Sequence, residues 1–214
     1  MKIGILGSGG VAQALGAGFL QPGHEVMLGT GSPAKLDAWA SQHPAARIGS
    51  FADAAGFADI AVLAVKGHAA VAVVQAAGPQ CLAGKTVLDT TNPIADAAPV
   101  DGVLQFFTGP NESLLERLQH AFPDVRFVKA FNSVGAGFMV DPDFAGGPPT
   151  MFICGNDAAA RQAARTLVEN VGWEVADFGT ATAARAIEPL CMLWCIPGIA
   201  RNEWTHAFKL LKAG

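Results

Sequence analysis

The chain has 214 residues, a net charge of −4 and 15% charged side chains, against about 25% in an average soluble domain. A chain of this length buries roughly 70% of its unfolded surface without staples, and so low a charge density suits a parallel sheet covered on both faces. Its lysines and arginines are scattered, so there is no basic stripe to release counterions, and a nucleic-acid partner is excluded.

In chain order, Lys2–Leu6 is a β-rich apolar run and Val11–Leu20 has helical spacing. Glu25–Leu28 reads as a second strand, followed by Ser32-Pro33 as N-cap and first turn of a helix over Ala34–Ala40. Asp59–Val65 is a buried parallel strand by composition, and His68–Ala77 is helical. Thr86–Asp89 is a strand that stops at TTNP; Ser113–Ala121 is helical and Val125–Ala130 is a further strand. This alternation predicts a doubly wound α/β sheet.

From Val134 the texture changes to a loop-rich stretch, followed by a strand at Met151–Cys154. A helix capped by Asp157 then runs to about Asn170, a strand covers Trp173–Ala176, and Thr182–Leu211 reads as mostly helical, broken at Pro197-Gly198. The expected organisation is a dinucleotide-binding domain over 1–134 and a small lobe over 135–214 packed on it as one unit.

Cys81, Cys154, Cys191 and Cys195 form no C-x-x-C pair. Cys191 and Cys195 lie one helical turn apart without an accompanying His or second thiol pair, so reduced cysteines and no metal are expected. MKIGILGSGG is interrupted by glycines too early for a signal peptide. The run Leu190–Ala200 is too short for a membrane span and contains Pro197. A cytoplasmic protein is expected.

Gly7-Ser8-Gly9-Gly10-Val11-Ala12 fits G-x-G-x-x-A between a strand and a helix. That context demands a tight turn, close backbone approach and helix amides aimed at a pyrophosphate. At the end of the second strand an acid would accept from a ribose 2′-OH and repel a 2′-phosphate. The chain has Thr30-Gly31-Ser32 there instead, with Lys35 within reach. Hydroxyls, helix amides and a cation favour NADP, although Ser32 also reads as a plain cap and Lys35 as a solvated lysine.

Ligands of this fold lie beyond the carboxyl ends of the strands. The glycine loop, Val65–His68, Thr90–Pro93 and Ala130–Gly135 should therefore converge. The absence of tyrosine excludes a Tyr-Lys short-chain dehydrogenase, and no G-x-S-x-G elbow is present. Lys66 and His68 are candidate acids or bases, with a phosphate contact or solvent as the alternative for Lys66. Asn92 and Asn132 are candidates to orient a carboxamide and a second ring. So few acids and bases suit hydride transfer between stacked rings, which depends on orientation.

MKIGILGSGGVAQALG, GHEVMLGT, DIAVLAV, DTTNP, VKAFNSVGA and PTMFICGND together resemble the F420-dependent NADP oxidoreductases. They are also similar to the oxidoreductase domain of six-transmembrane metalloreductases. The resemblance implies a Rossmann domain, a lobe completing the site, a homodimer, and hydride exchange between NADPH and F420, FMN or FAD. It places Gly7, Ser8, Gly9, Gly10 and Val11 on the pyrophosphate and Thr30 at the 2′-phosphate; Gly31, Ser32 and Lys35, candidates from their own chemistry, follow Thr30 in the chain. It also implies that Val65, Asn92 and Pro93 line the nicotinamide side and that Phe131, Asn132 and Ser133 face the acceptor ring; Lys66, Ala130 and Asn132 are further cofactor-binding candidates. Two departures stand out: Thr30-Gly31 where the family has Ser/Thr-Arg, and Lys66-Gly67-His68 where a Pro or small residue is usual. The alternatives are an imine reductase resembling pyrroline-5-carboxylate reductase, whose helical tail is far longer, and a non-catalytic NADP(H) sensor closed by Phe131, Phe138 or Trp194. Trp194, Trp204 and Phe208 are expected in a core or dimer seam.

Overall fold

The computed structural model describes residues 1–213. Strands β1 (Lys2–Leu6), β2 (Glu25–Gly29), β3 (Arg47–Gly49), β4 (Ile60–Leu63), β5 (Thr86–Asp89) and β6 (Arg126–Lys129) form one parallel sheet. Its order is β3-β2-β1-β4-β5-β6, the Rossmann-type doubly wound arrangement. The helices are α1 (Gly10–Leu20), α2 (Asp37–Gln42), α3 (Phe51–Phe57), α4 (Ala70–Ala77), α5 (Pro79–Leu82), α6 (Leu114–Ala121), α7 (Ala158–Asn170), α8 (Ala184–Ile187) and α9 (Pro189–Arg201).

Strand periodicity divides the interior into two layers. Ile3, Ile5, Val62, Leu88 and Val128 face α1 and α7. Leu6, Ala61, Leu63, Val87 and Phe127 face α3, α4 and α6. On α7 the buried residues are Ala160, Ala164, Leu167 and Val168, one helical stripe. That stripe joins the same core as Ile3 and Leu15. A second sheet pairs β7 (Thr150–Ile153) with β8 (Glu174–Asp177) in parallel, and the Lys129 amide donates to the Cys154 carbonyl at 2.9 Å to tie it to β6.

Three expectations are corrected. Ser32 is not a side-chain cap: its amide instead donates to Thr30 Oγ1 at 3.1 Å, and a 3-10 turn over Pro33–Leu36 precedes α2. Pro197 lies inside α9 without breaking it. The carbonyl its ring would crowd belongs to Leu193, which is exposed, so water can take over that bond.

The third concerns the tail beyond Arg201, which over 202–213 forms neither helix nor strand. Asn202 adopts a left-handed conformation that ends α9. Trp204 then folds over Gly198, where a Cβ would collide with its ring. Further on, the Thr150 amide donates to the Phe208 carbonyl at 2.9 Å and Lys209 Nζ to the Pro148 carbonyl at 2.7 Å. The tail is thus a strap across α9 onto β7. The continuous helical stretch Ala181–Arg201 has 21 residues and is long and apolar enough to cross a membrane by length and composition. Here it carries Glu188, whose carboxylate is buried against Lys129.

Candidate functional site

After β3 the chain crosses from one side of β1 to the other, so the loops after β1 and β4 diverge at a topological switch point. Main-chain bonds carry the ladder past the strand ends. The Gly7 amide donates to the Gly29 carbonyl, Ala64 to Leu6, Thr90 to Leu63 and Ala130 to Asp89, all within 3.1 Å. These bonds hold the loops rigidly around a cavity of about 650 Å3.

The cavity is lined by Ser8–Val11, Lys35, Ala64–Ala69, Thr90–Asn92 and Ile94–Asp96. A Cβ at Gly7 would strike the Ala64 carbonyl, whereas one at Gly9 would meet nothing within 4 Å. The first position needs glycine for the crossing of two loops; the second leaves open space at the helix start. No side chain caps α1 and its first turn has no acid, so its leading amides are open to an anion. Gln13 Nε2 donates to the Ser8 carbonyl at 2.9 Å, and Trp39 Nε1 to the Gln13 carbonyl at 3.1 Å. These two residues fix the glycine loop, a role their sequence positions do not signal.

Of the expected site residues, Ser8, Gly9, Gly10, Val11, Lys35, Val65, Lys66, His68 and Asn92 meet at this cavity. Gly7 supports it from below. Thr30 is buried at the end of β2, with Gly31 and Ser32 exposed beside it, outside the lining. Pro93 and Ala130 are buried and also lie outside it. Phe131 is 1% exposed and packs edge-on against Trp173 in the core; it does not face the cavity, and neither do Asn132 and Ser133. Phe138 and Trp194 are absent from the lining as well, so none of the three expected aromatics closes it.

Asn132 is 4% exposed and acts as a clip. Its Nδ2 donates to the Ile187 carbonyl at 3.0 Å and to Asn92 Oδ1 at 3.1 Å, and its own carbonyl accepts from Asn92 Nδ2 at 2.7 Å. Gly67, unremarked by motif, is where the two walls touch: a Cβ there would strike the Asn92 carbonyl. Lys66, just before the 3-10 turn over Gly67–Ala69, and His68 on it are exposed, and among the described residues neither makes a salt bridge.

Behind the cavity floor lies a buried ionic cluster without a motif signature. Lys129 and Asp89 are paired neighbours of β6 and β5, with Lys129 Nζ 2.6 Å from Asp89 Oδ2 and 2.9 Å from Glu188 Oε1. Burial opposes the charge on Lys129, but the two carboxylates outweigh it and raise its pKa above the ordinary value. Among the described residues no cluster of three or more His, Cys, Asp or Glu could hold a metal ion.

The sequence model for NADP oxidoreductase, coenzyme F420-dependent, matches residues 2–93. A protein from Arthrobacter sp. FB24, solved and described as an F420-dependent NADP-reductase, is 34% identical. It aligns over 99% of this chain and 100% of its own, with a TM-score of 0.93. This chain belongs to the F420-dependent NADP oxidoreductase family. The family's members are NAD(P)-dependent oxidoreductases, and this chain is an enzyme of that class. The metalloreductase STEAP3 of Rattus norvegicus is 28% identical over 201 residues, 92% of this chain; the chain spans 38% of the length of that protein. An imine reductase from Streptomyces aurantiacus shares the fold, with a TM-score of 0.66 at 17% identity over 90% of this chain and 61% of its own.

Proposed function

We propose that this family member transfers hydride directly between NADPH and the ring of a deazaflavin, with a flavin ring as the related alternative. One observation carries the reading. The cavity at the switch point is lined by Lys35 and Lys66 against a single acid, Asp96, and the end of β2 has Thr30-Gly31 where an NAD site would present a carboxylate. Opposed to the chain's net charge of −4, this local cation excess suits the extra phosphate of NADP. NADPH would supply the hydride from its nicotinamide.

The α1 amides at Gly9–Val11 would hold the pyrophosphate. Thr30, Gly31, Ser32 and Lys35 would hold the adenosine 2′-phosphate, Lys35 standing in for the family's arginine. Val65, Lys66 and Thr90–Pro93 would seat the nicotinamide. Asn132 would act through Asn92. With Lys66 and His68 on the rim, proton transfer is secondary to orientation. The lobe over 135–214 would complete the acceptor side and, through the exposed Leu193 and Ile199 of α9, bury apolar surface in a homodimer.

The test is anaerobic mixing of the purified protein with NADPH or NADH, followed by F420 or FMN, with nicotinamide absorbance as readout. Rapid transfer from NADPH and slow transfer from NADH is the expected result. NADPH oxidation by cyclic imines alone would establish the imine reductase instead, and tight binding without transfer to any acceptor would establish the sensor.

A further inference from the structure

Every polar group of Thr91, on the cavity floor, is held from beneath. Its amide and hydroxyl donate to Asp89 Oδ1 at 2.9 and 2.7 Å, and its carbonyl accepts from Lys129 Nζ at 2.7 Å. Lys129 in turn rests on Glu188, at the junction of α8 and α9. Glu188 Oε1 accepts from the Leu115 amide at 3.0 Å as well as from Lys129, and Oε2 accepts from the Leu114 amide at 2.9 Å. Lys129 and Glu188 are 0% and 1% exposed.

The cluster is one cation between two anions, and the first two amides of α6, which its Ser113–Glu116 capping box leaves to Glu188, supply the remaining partial positive charge. Such a cluster is a poor device for stability alone, because apolar side chains of similar volume often serve packing as well or better. What apolar side chains cannot do is fix a main-chain carbonyl. The neighbouring residue makes the same connection: the Ile187 carbonyl takes the Asn132 amide that also grips Asn92. Ile187 and Glu188 therefore brace Asn92 and Thr91, about a hundred residues earlier, each through one intermediary.

We propose that Glu188 is a positioning residue for the cofactor site: through Lys129 it fixes the Thr91 carbonyl, and with it the loop Thr90–Asn92 under the nicotinamide. This rests on the cofactor placement proposed above, so the test separates the two. NADPH spans the whole cavity, whereas 2′,5′-ADP occupies the adenosine end alone and never meets the loop. Binding of both probes would be measured by calorimetry for the wild type, Glu188→Gln and Ser113→Ala. The last removes the hydroxyl that accepts from the Glu116 amide at the same helix start, without touching Lys129 or Thr91.

Glu188→Gln should weaken NADPH about tenfold, the cost of losing one well-placed hydrogen bond to a charged group, and leave 2′,5′-ADP within about twofold. Ser113→Ala should leave the ratio of the two affinities at its wild-type value even as the melting temperature falls. Should Glu188→Gln fail to fold, Glu188→Asp keeps the charge, shortens its reach and is held to the same ratio. A wild type that binds both probes, with that ratio unchanged in the folded Glu188 variant, overturns the positioning role alone. A wild type that binds neither probe overturns the cofactor placement and this role with it.

Discussion

Gly67 shows how a single missing Cβ sets the site. The loops after β4 and β5 approach so closely that any side chain would meet the Asn92 carbonyl. Gly67→Ala should cost about 1–3 kcal/mol through overpacking and lower Tm by roughly 3–10 °C in a chain of this size. NADPH binding should fall by more than about tenfold, since both walls must part. An unchanged melt and affinity would show that the two loops do not meet there. In the proposed site Lys35 would act by charge alone, so Lys35→Ala should weaken NADPH about fivefold more than NADH; equal loss for both, in parallel titrations, removes it from the 2′-phosphate site. Cys154 is buried just after β7, and burial pushes its thiol up to about 12 from the ordinary 9.0. Being raised, it leaves stability intact below pH 9, where folded and unfolded chains both keep the proton. Above that the unfolded chain alone releases it, so stability should fall as the pH rises from 9 toward 12. Iodoacetamide at pH 8 should modify Cys154 only after denaturation, and alkylation of the native protein, seen by peptide mass spectrometry, would contradict this burial.

At the scale of elements, the strands and long helices were legible because their burial is periodic or continuous. Both β1 and β4 are apolar runs bounded by glycine or a turn, and α7 announces itself by Asp157 and its stripe. The short pair β3 and α3 was missed, although Ser50 and Asp53 form a reciprocal capping box, with the Ser50 amide donating to Asp53 at 2.9 Å; three residues of strand carry too little period to register. The tail reads as helical because Trp204 and Phe208 have the i, i+4 spacing of one helical face, but tertiary contacts decide its conformation. Trp194 Nε1 donates to the His206 carbonyl at 2.9 Å and the two rings stack. A Cβ at Gly198 would displace the Trp204 ring, so Gly198→Ala should detach the strap. Proteolysis within 202–213 and a red shift of tryptophan emission should follow, with NADPH affinity unchanged. A protected tail in that variant would mean the strap is held elsewhere.

At the scale of the molecule, the switch in strand order creates the crevice and the sequence of loops fills it. The glycine loop and TTNP could be read in advance because each is local: a motif at a strand end is a motif at the crevice. The ionic cluster and the Asn132 clip could not, because Lys129, Asp89 and Glu188 become neighbours only through the register of β5 on β6 and the return of α9. For the same reason Phe131 and Ala130, sequence neighbours of the crevice, fall into the core instead. In the proposed function hydride passes directly from the NADPH ring to the acceptor ring, with no proton relay between them. This transfer is tested most directly with NADPH deuterated at the transferring C4 position and oxidised F420 as acceptor, whose reduced ring keeps the label on carbon. Deuterium in the reduced deazaflavin and a slowed transfer with the labelled cofactor are the expected results. Reduced acceptor without deuterium, the label lost to water, would contradict direct transfer.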